Sequence, residues 1–194
     1  LFKGVTSSGK TEIYITLISN LLKSNNQVLY LVPEIALTTQ LVERLKVYFS
    51  DHLVVYHSGL NINQRAELWN DLILSDKPKI IIGARSAIFL PYNNLKLIIV
   101  DEEHEQTYKQ YEPSPRYHAR DSSLVLANIH NSKVLLGSAT PSIESFYNCD
   151  ESKKFALVEL NERFGNIPLP KINIVDLSEK IRSGNMHGLF SDTL

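Results

Sequence analysis

The sequence predicts an α/β fold: a mostly parallel sheet with helices on both faces. Three observations lead there. Short apolar runs alternate with amphipathic stretches, the pattern of parallel strands joined by crossover helices. The segment Gly4-Val5-Thr6-Ser7-Ser8-Gly9-Lys10-Thr11 fits the glycine-bounded phosphate-loop pattern. A later apolar strand, Lys96 to Val100, runs straight into Asp101-Glu102-Glu103-His104.

Leu1-Phe2-Lys3 read as the tail of a strand feeding the glycine loop, and Glu12 to Lys23 as the helix behind it. Gln27 to Val32 is a buried strand. Ile35 to Phe49 is amphipathic, with Leu37, Leu41, Leu45 and Tyr48 at helical spacing. Leu53 to His57 is a short strand. Asn61 caps a helix running to about Leu74, in which Trp69 accompanies Leu68 and Leu72 and is expected in the core. Lys79 to Ile82 is the next strand, ending at Gly83. After the acidic strand come a polar, aromatic loop from Glu105 to Tyr117, a helix from about His118 to Ile129 and a strand from Lys133 to Gly137. Residues 1–150 form one nucleotide-binding domain in this reading. From 151 to 194 the pattern changes: Phe155 to Leu160 and Lys171 to Leu177 read as strands, separated by Gly165, Pro168 and Pro170, in a segment entering a further, truncated domain. The chain starts at Leu1 and not at methionine, so an excerpt from a longer protein is expected.

The two polar motifs have complementary chemistry. A loop bounded by Gly4 and Gly9 lets successive backbone N–H groups turn inward around a polyphosphate. Lys10 reaches its β- and γ-phosphates, the Thr11 hydroxyl ligates Mg²⁺, and Thr11 and Glu12 open a helix whose dipole favours the same anion. Asp101, at a strand end, reaches the Mg²⁺ shell, and Glu102 beside it polarises an attacking water. The cofactors expected are therefore ATP and Mg²⁺. Taken alone, a glycine-rich turn or an acidic strand end has simpler explanations, but their order and strand-then-loop context point to an NTPase. In an open parallel sheet ligands bind outside the carboxyl ends of the strands, so Lys10, Glu34, His57, Arg85, Asp101 and Ser138 should share one sheet edge.

Composition sets bounds. The chain has 194 residues, 43% hydrophobic and 21% charged, and a net charge of −1, which argues against a strongly basic nucleic-acid surface while leaving room for a local basic groove. The single cysteine, Cys149, excludes a disulfide framework and a cysteine-cluster zinc site within this sequence, and suits a reducing compartment. No apolar run is long enough to cross a bilayer and no signal peptide is present, so no membrane partner and a cytoplasmic location are expected.

Further loops narrow the reading. Val32-Pro33-Glu34-Ile35-Ala36-Leu37-Thr38, Gly83-Ala84-Arg85-Ser86-Ala87, Tyr108-Lys109-Gln110, Arg116-Tyr117-His118-Ala119-Arg120-Asp121 and Gly137-Ser138-Ala139-Thr140-Pro141-Ser142 surround the phosphate loop and acidic box in an order that resembles helicase superfamily 2, and within it the replication-restart DNA helicases. The resemblance spans nearly the whole chain. It implies the first RecA-like motor lobe of an ATP-dependent 3′-to-5′ helicase acting at forked DNA. It also implies that Glu34, Arg85 and Ser86 lie on loops touching the nucleic-acid backbone, that Ser138 and Thr140 couple hydrolysis to domain movement, and that His104 links the nucleotide site to the DNA-sensing parts. The segment from Glu105 to Tyr117 resembles the family's aromatic-rich loop, which senses single-stranded DNA. There Tyr108, Lys109, Arg116 and Tyr117 have the chemistry to stack on bases and meet phosphates. Single-stranded DNA-binding protein and other primosome components are the implied partners, and zinc is implied only for a module outside this sequence. Ser7 departs from the family, which commonly has glycine there and so one more position free to take positive φ. Apart from the resemblance, Arg85 serves equally as a salt-bridge partner and Glu34 as a first-turn acid, while His57 reads as structural or weakly DNA-facing. Another superfamily 2 translocase, a phosphate-loop phosphotransferase and a nucleotide-gated binding module are the competing readings.

Overall fold

The computed structural model describes residues 1–74, 77–150, 154–168 and 172–191. Seven parallel strands form the main sheet: β1 (Phe2–Gly4), β2 (Gln27–Leu31), β3 (Leu53–Tyr56), β4 (Lys79–Gly83), β5 (Leu95–Asp101), β6 (Lys133–Ser138) and β7 (Val158–Leu160), in the order β3-β4-β2-β5-β6-β1-β7. Crossovers are made by α1 (Lys10–Lys23), α2 (Thr39–Phe49), α3 (Ile62–Leu74), α4 (Ala119–His130) and α5 (Ile143–Asp150). Beyond the sheet lie α6 (Leu177–Arg182) and a two-stranded pair, β8 (Met186–His187) with β9 (Phe190–Ser191). No helix among the described residues is long and apolar enough to cross a membrane.

The period-two alternation of strand side chains builds two cores. Val28, Tyr30, Ile80, Ile82, Leu97 and Ile99 meet Tyr14, Ile15 and Ile18 of α1 and Leu45 and Phe49 of α2 on one face. Leu29, Leu31, Ile81, Ile98 and Val100 meet Leu72 of α3 and Ala119 and Ala127 of α4 on the other. The central strands are buried on both faces, which is why they read as unbroken apolar runs rather than alternating ones. Helices on both faces of a parallel sheet are what the sequence predicted.

Three local expectations are corrected. The stretch from Ile35 to Phe49 is not one helix. Glu34–Ala36 forms a 3-10 turn, and α2 starts only after Thr38, whose extended backbone (φ −86°, ψ 157°) and hydroxyl, accepting from the Leu41 N–H at 3.3 Å, make it an N-cap. The buried stripe of α2 is then Leu45 and Phe49, and Tyr48 faces solvent. Trp69 is 44% exposed rather than in the core, because α3 turns Leu68 and Leu72 to the sheet and the next residue lies about 100° further round. Within the segment 151–194, β7 pairs with β1 in the register Phe2↔Val158, Lys3↔Glu159, Gly4↔Leu160, so the main sheet continues to Leu160. The strand expected from Lys171 to Leu177 is absent over residues 172–176, where Asp176 instead caps α6 by accepting from the Ser178 and Glu179 N–H groups, while Lys171 lies outside the described residues.

Because all seven strands run the same way, their carboxyl ends open on one edge. The loops carrying Lys10, Glu34, His57, Arg85, Asp101 and Ser138 follow β1 through β6 there.

Candidate nucleotide-binding and hydrolysis site

The glycine loop joins β1 to α1 and forms one wall of a cavity of about 640 Å³ lined by Thr6, Ser7, Ser8, Gly9, Lys10, Thr11, Glu12, Arg44, Asp101, Glu102 and Phe164. Gly4 ends β1 beneath it, and the Val5 N–H donates to Leu160 O (3.1 Å), anchoring the loop to β7. Gly9 takes φ 89° and lets the chain turn into α1, where the Glu12 and Ile13 N–H groups donate back to its carbonyl. A Cβ on Gly4 would fall 2.7 Å from Ser8 Oγ and 2.9 Å from Lys10 Cγ. Lys10 Nζ donates to Gly4 O at 2.8 Å. Ser7 adopts φ 64°, the left-handed conformation that costs a residue with a side chain about 1–2 kcal/mol.

Several features fit a nucleoside triphosphate with Mg²⁺. The cavity size is that of a small-ligand site. Ser8 Oγ is buried with no hydrogen-bond partner among the described residues, an orphan that a phosphate oxygen satisfies. Asp101 and Glu102 close the same cavity, and Lys10 lies near enough for its charge to lower the pKa of both.

Asp101 is held from three sides. Tyr14 Oη of α1 donates to Oδ1 (3.3 Å), Tyr30 Oη of β2 donates to Oδ2 (3.0 Å), and Tyr108 Oη donates to its main-chain carbonyl (2.6 Å). Burial pushes the Asp101 carboxyl above the ordinary range, against the pull of the Tyr30 hydrogen bond and the Glu102 amide. Burial likewise raises Glu102, and the adjacent Asp101 charge adds to it. Burial beside Asp101 raises all three tyrosines, so they remain donors. Glu102 sits at φ 48°, another left-handed non-glycine position, with its N–H donating to Asp101 Oδ1 (3.1 Å). Strain of this kind persists only where surrounding contacts over-determine it.

His104 is not on the cavity wall but behind it. Its Nδ1 lies 2.8 Å from Ser138 Oγ and 3.8 Å from Glu102 Oε2, and its Nε2 lies 3.5 Å from Thr140 Oγ1. Ser138 is buried and also accepts from the Thr140 N–H (3.0 Å), so the acidic box and the Ser138-Ala139-Thr140 loop form one hydrogen-bonded unit.

The remaining predicted residues fall on the neighbouring loops. Glu34 is exposed and accepts from Ser58 Oγ (3.0 Å). Arg85 donates to Thr107 O (3.1 Å), tying the loop after β4 to the loop after β5, and Ser86 is exposed. Tyr117 is half-buried, edge-on to Phe89 with ring centroids 4.8 Å apart. Lys109 is half-buried and bridges to His118 through the backbone, while Arg116 is exposed. Tyr108 is corrected: it is 1% exposed, its ring packed against the core beside α4 and its hydroxyl consumed by Asp101, so it offers no face to a base. A polar loop hid it, since nothing in the sequence says which of its tyrosines turns inward.

Sequence reasoning missed a second buried unit. Glu103 is wholly buried and accepts from Arg120 Nη1 (3.1 Å), the Ser142 N–H (2.7 Å), Ser142 Oγ (3.1 Å) and Ser145 Oγ (2.8 Å). It joins the acidic box to the start of α4 and to α5. Both Glu103 and Arg120 stand inside motifs already singled out, but pairing them needs the β5-β6 adjacency. Arg44 and Phe164 were missed for a similar reason, as they reach the cavity only through tertiary packing.

Comparison with known proteins agrees with this geometry. Residues 1–148 match the DEAD/DEAH box helicase family model. The chain is 49% identical over 185 residues to the replication restart protein PriA of Haemophilus influenzae and 43% identical over 185 residues to that of Bacillus subtilis, covering 95% of this chain in each case but 25% and 23% of those proteins. It thus spans about a quarter of the length of these curated relatives. Among solved structures, RecG bound to a three-way DNA junction superposes with TM-score 0.57 at 19% identity, over 82% of this chain and 20% of that one. The DUF1998 helicase MrfA bound to DNA gives TM-score 0.54 at 20% identity, over 84% and 25%. At that identity the likeness is one of fold, and the fold is the RecA-like helicase lobe. With a family model matched from the first residue through most of α5, and with the phosphate loop and acidic box facing one cavity, the chain belongs to the DEAD/DEAH box helicase family.

Proposed function

We propose that this chain is the ATP-binding lobe of an ATP-dependent DNA helicase that translocates 3′ to 5′ at forked DNA during replication restart. The observation that carries the reading is the convergence of the phosphate loop and the Asp101-Glu102 pair on one cavity, with the acidic box hydrogen-bonded onward to two loops outside it. The high identity to replication restart proteins favours that pathway over other superfamily 2 translocases.

In this reading the loop amides from Thr6 to Gly9 and the Lys10 ammonium bind the β- and γ-phosphates, and the α1 N-terminus favours the same charge. Thr11 and Asp101 would hold Mg²⁺, which would supply neutralisation of the charge on the phosphates. Tyr14 and Tyr30 fix both carboxylate oxygens of Asp101. Glu102 accepts a proton from the attacking water. His104 connects Glu102 to Ser138 and Thr140 and reports the state of the cavity to the loop after β6. Arg85 and the loop from Glu105 to Tyr117 share a contact at Thr107, so Glu34, Arg85, Ser86, Lys109, Arg116 and Tyr117 serve the nucleic-acid side, with Tyr108 as a coupling residue. Single-stranded DNA-binding protein and primosome components are the partners this family implies, with zinc held elsewhere in the parent protein and a cytoplasmic location.

The test is ATP hydrolysis by the full-length parent protein with and without single-stranded DNA, beside Glu102→Gln. A positioned general base contributes about 10²- to 10⁴-fold, so DNA-stimulated turnover should fall by at least about 10²-fold in the variant. Turnover indifferent to DNA would remove the helicase reading.

A further inference from the structure

Glu102 enters the cavity from a backbone at φ 48°, a conformation disfavoured for any residue with a side chain. Such a position is kept only where the peptide planes on both sides of its Cα are fixed. The preceding plane is fixed by the Tyr108 hydroxyl, which donates to Asp101 O (2.6 Å), and by the Glu102 N–H, which donates to Asp101 Oδ1 (3.1 Å). The following plane ends at Glu103. Its N–H donates to Gly137 O (3.0 Å), and the Glu102 carbonyl of the same plane accepts from the Glu105 N–H (2.9 Å).

The Glu103 side chain is anchored more heavily than stability requires. Its wholly buried carboxylate accepts from Arg120 in the first turn of α4, from the N–H and hydroxyl of Ser142 in the loop after β6, and from Ser145 in the first turn of α5. The Arg120 guanidinium also donates to Ser142 Oγ (2.7 Å) and to Asp121 Oδ1 (2.9 Å), so each member of the cluster holds another. A buried ion pair of this kind is often no more stabilising than well-packed apolar side chains of the same volume. What apolar side chains do not reproduce is direction. A carboxylate bonded on both oxygens fixes the place of its own Cα, and the Glu103 Cα is the far end of the plane that sets ψ of Glu102.

We propose that Glu103, clamped by Arg120, Ser142 and Ser145, is a positioning residue for hydrolysis, holding the peptide after Glu102 so that the Glu102 carboxylate stays in the cavity. This rests on the reading of Glu102 as the group that takes the proton from water, and adds to it what keeps Glu102 in place. Glu103 is wholly buried and does not line the cavity, so it touches no reactant. Its loss is therefore felt in kcat and not in ATP affinity, and a misplacement on the order of 1 Å costs up to about 10²-fold in rate.

The decisive variant is Glu103→Leu/Arg120→Met, which replaces the charged pair by apolar side chains and keeps the chain folded without the anchor. In the full-length parent protein with Mg²⁺ and saturating single-stranded DNA, its melting temperature and ATP dissociation constant should match wild type while kcat falls at least about tenfold. Adding Glu102→Gln should then lower kcat by less than it does in the wild-type background, because both changes remove one positioned group. Recovery of kcat together with melting temperature would make the cluster structural only and overturn the proposal. Fully multiplicative losses would also overturn it, since Glu103 would then act without Glu102. If the double variant unfolds at the assay temperature, Ser145→Ala decides instead, because it removes one donor and leaves the ion pair. Its kcat should fall at least about threefold at unchanged ATP affinity, and an unchanged kcat would overturn the proposal. Glu102→Gln as active as wild type would instead overturn the role of Glu102 itself.

Discussion

Gly137→Ala isolates the packing that positions Asp101. Gly137 of β6 pairs with Asp101 of β5, and a Cβ at this position would lie 1.9 Å from Tyr14 Oη, 3.1 Å from Tyr14 Cζ and 3.5 Å from Asp101 Oδ1. Ordinary carbon–oxygen contact starts near 3.4 Å, so the Tyr14 hydroxyl must retreat by roughly 1.5 Å. It has nowhere to go, being fully buried between the rings of Phe2 (centroids 5.9 Å apart) and Tyr30 (5.7 Å). Overpacking of this kind costs about 1–3 kcal/mol, and the lost Tyr14–Asp101 hydrogen bond adds about 1 kcal/mol. The smaller entropy of the alanine chain when unfolded returns about 0.4–1 kcal/mol. The expected net loss is about 2–3 kcal/mol, or roughly 4–12 °C in melting temperature for a chain of this size. Tyr14→Phe alone should cost about 1 kcal/mol, because it removes one of the donors to Asp101. In the double variant the oxygen that clashes is gone, so the two losses should fall short of their sum by about 1.5 kcal/mol. Urea unfolding of the four proteins followed by circular dichroism measures this, and independent sites agree with additivity to within about 0.3–0.5 kcal/mol. Additive losses would refute the argument that Tyr14 and Gly137 share one fitted position.

Glu103→Gln should destabilise the chain by about 3–5 kcal/mol, since it strips the buried partner from Arg120, and the urea midpoint should fall accordingly. Pairing Glu103→Leu with Arg120→Met should recover much of that loss. Ser7→Gly should raise the unfolding free energy by about 0.5–1 kcal/mol and the urea midpoint with it, because glycine relieves the strain at φ 64° and returns only part of it as chain entropy. An unchanged or lower midpoint would show that the loop tolerates serine without strain. Asp101→Asn has a sign set by pH. A carboxyl whose folded pKa is raised stabilises the fold while protonated and loses that contribution as pH climbs from its ordinary value of 3.8 through the raised one. The melting temperature of the variant should therefore gain on wild type over that window, and a difference constant with pH would contradict the burial of the charge.

What the sequence disclosed depended on whether the chemistry was contiguous. The phosphate loop and the acidic strand end are each a single run of residues, and parallel topology alone brings the loops after β1 and β5 to one edge. The tyrosines that hold Asp101 were silent because Tyr14 and Tyr30 sit in an ordinary helix and an ordinary apolar strand, and only the order β2-β5 aims their hydroxyls at one carboxylate. Phe164 was silent because its place on the cavity follows from β7 pairing with β1, an edge strand in the stretch that the sequence pattern read as a connecting segment entering a further domain. Trp69 and Tyr108 were misplaced in opposite directions for one reason: hydrophobic size predicts burial only when the backbone turns the side chain inward. A one-residue offset on α3 exposes the first, and an acceptor at Asp101 draws in the second.

Asp101 is where the two halves of this lobe become mechanically one. Its carboxylate faces the nucleotide cavity, held by residues of α1 and β2, while its carbonyl is held by Tyr108 from the loop that begins at Glu105. That carbonyl and the Glu102 N–H belong to the same peptide plane, which is rigid, and the Glu102 N–H is itself tied to Asp101 Oδ1. Rotating the plane therefore acts on the Asp101 carboxylate in the cavity and on the strained φ of Glu102 together. A displacement of Tyr108 Oη, bonded at 2.6 Å, pulls directly on this plane. The Lys109↔His118 bridge and the Gln110 side chain, donating to Pro113 O and Pro115 O, make the rest of the loop a closed unit, so force applied at exposed Arg116 is not dissipated in a slack chain. The burial of Tyr108, which removes it as a surface for bases, is what gives the loop a short rigid path to Glu102.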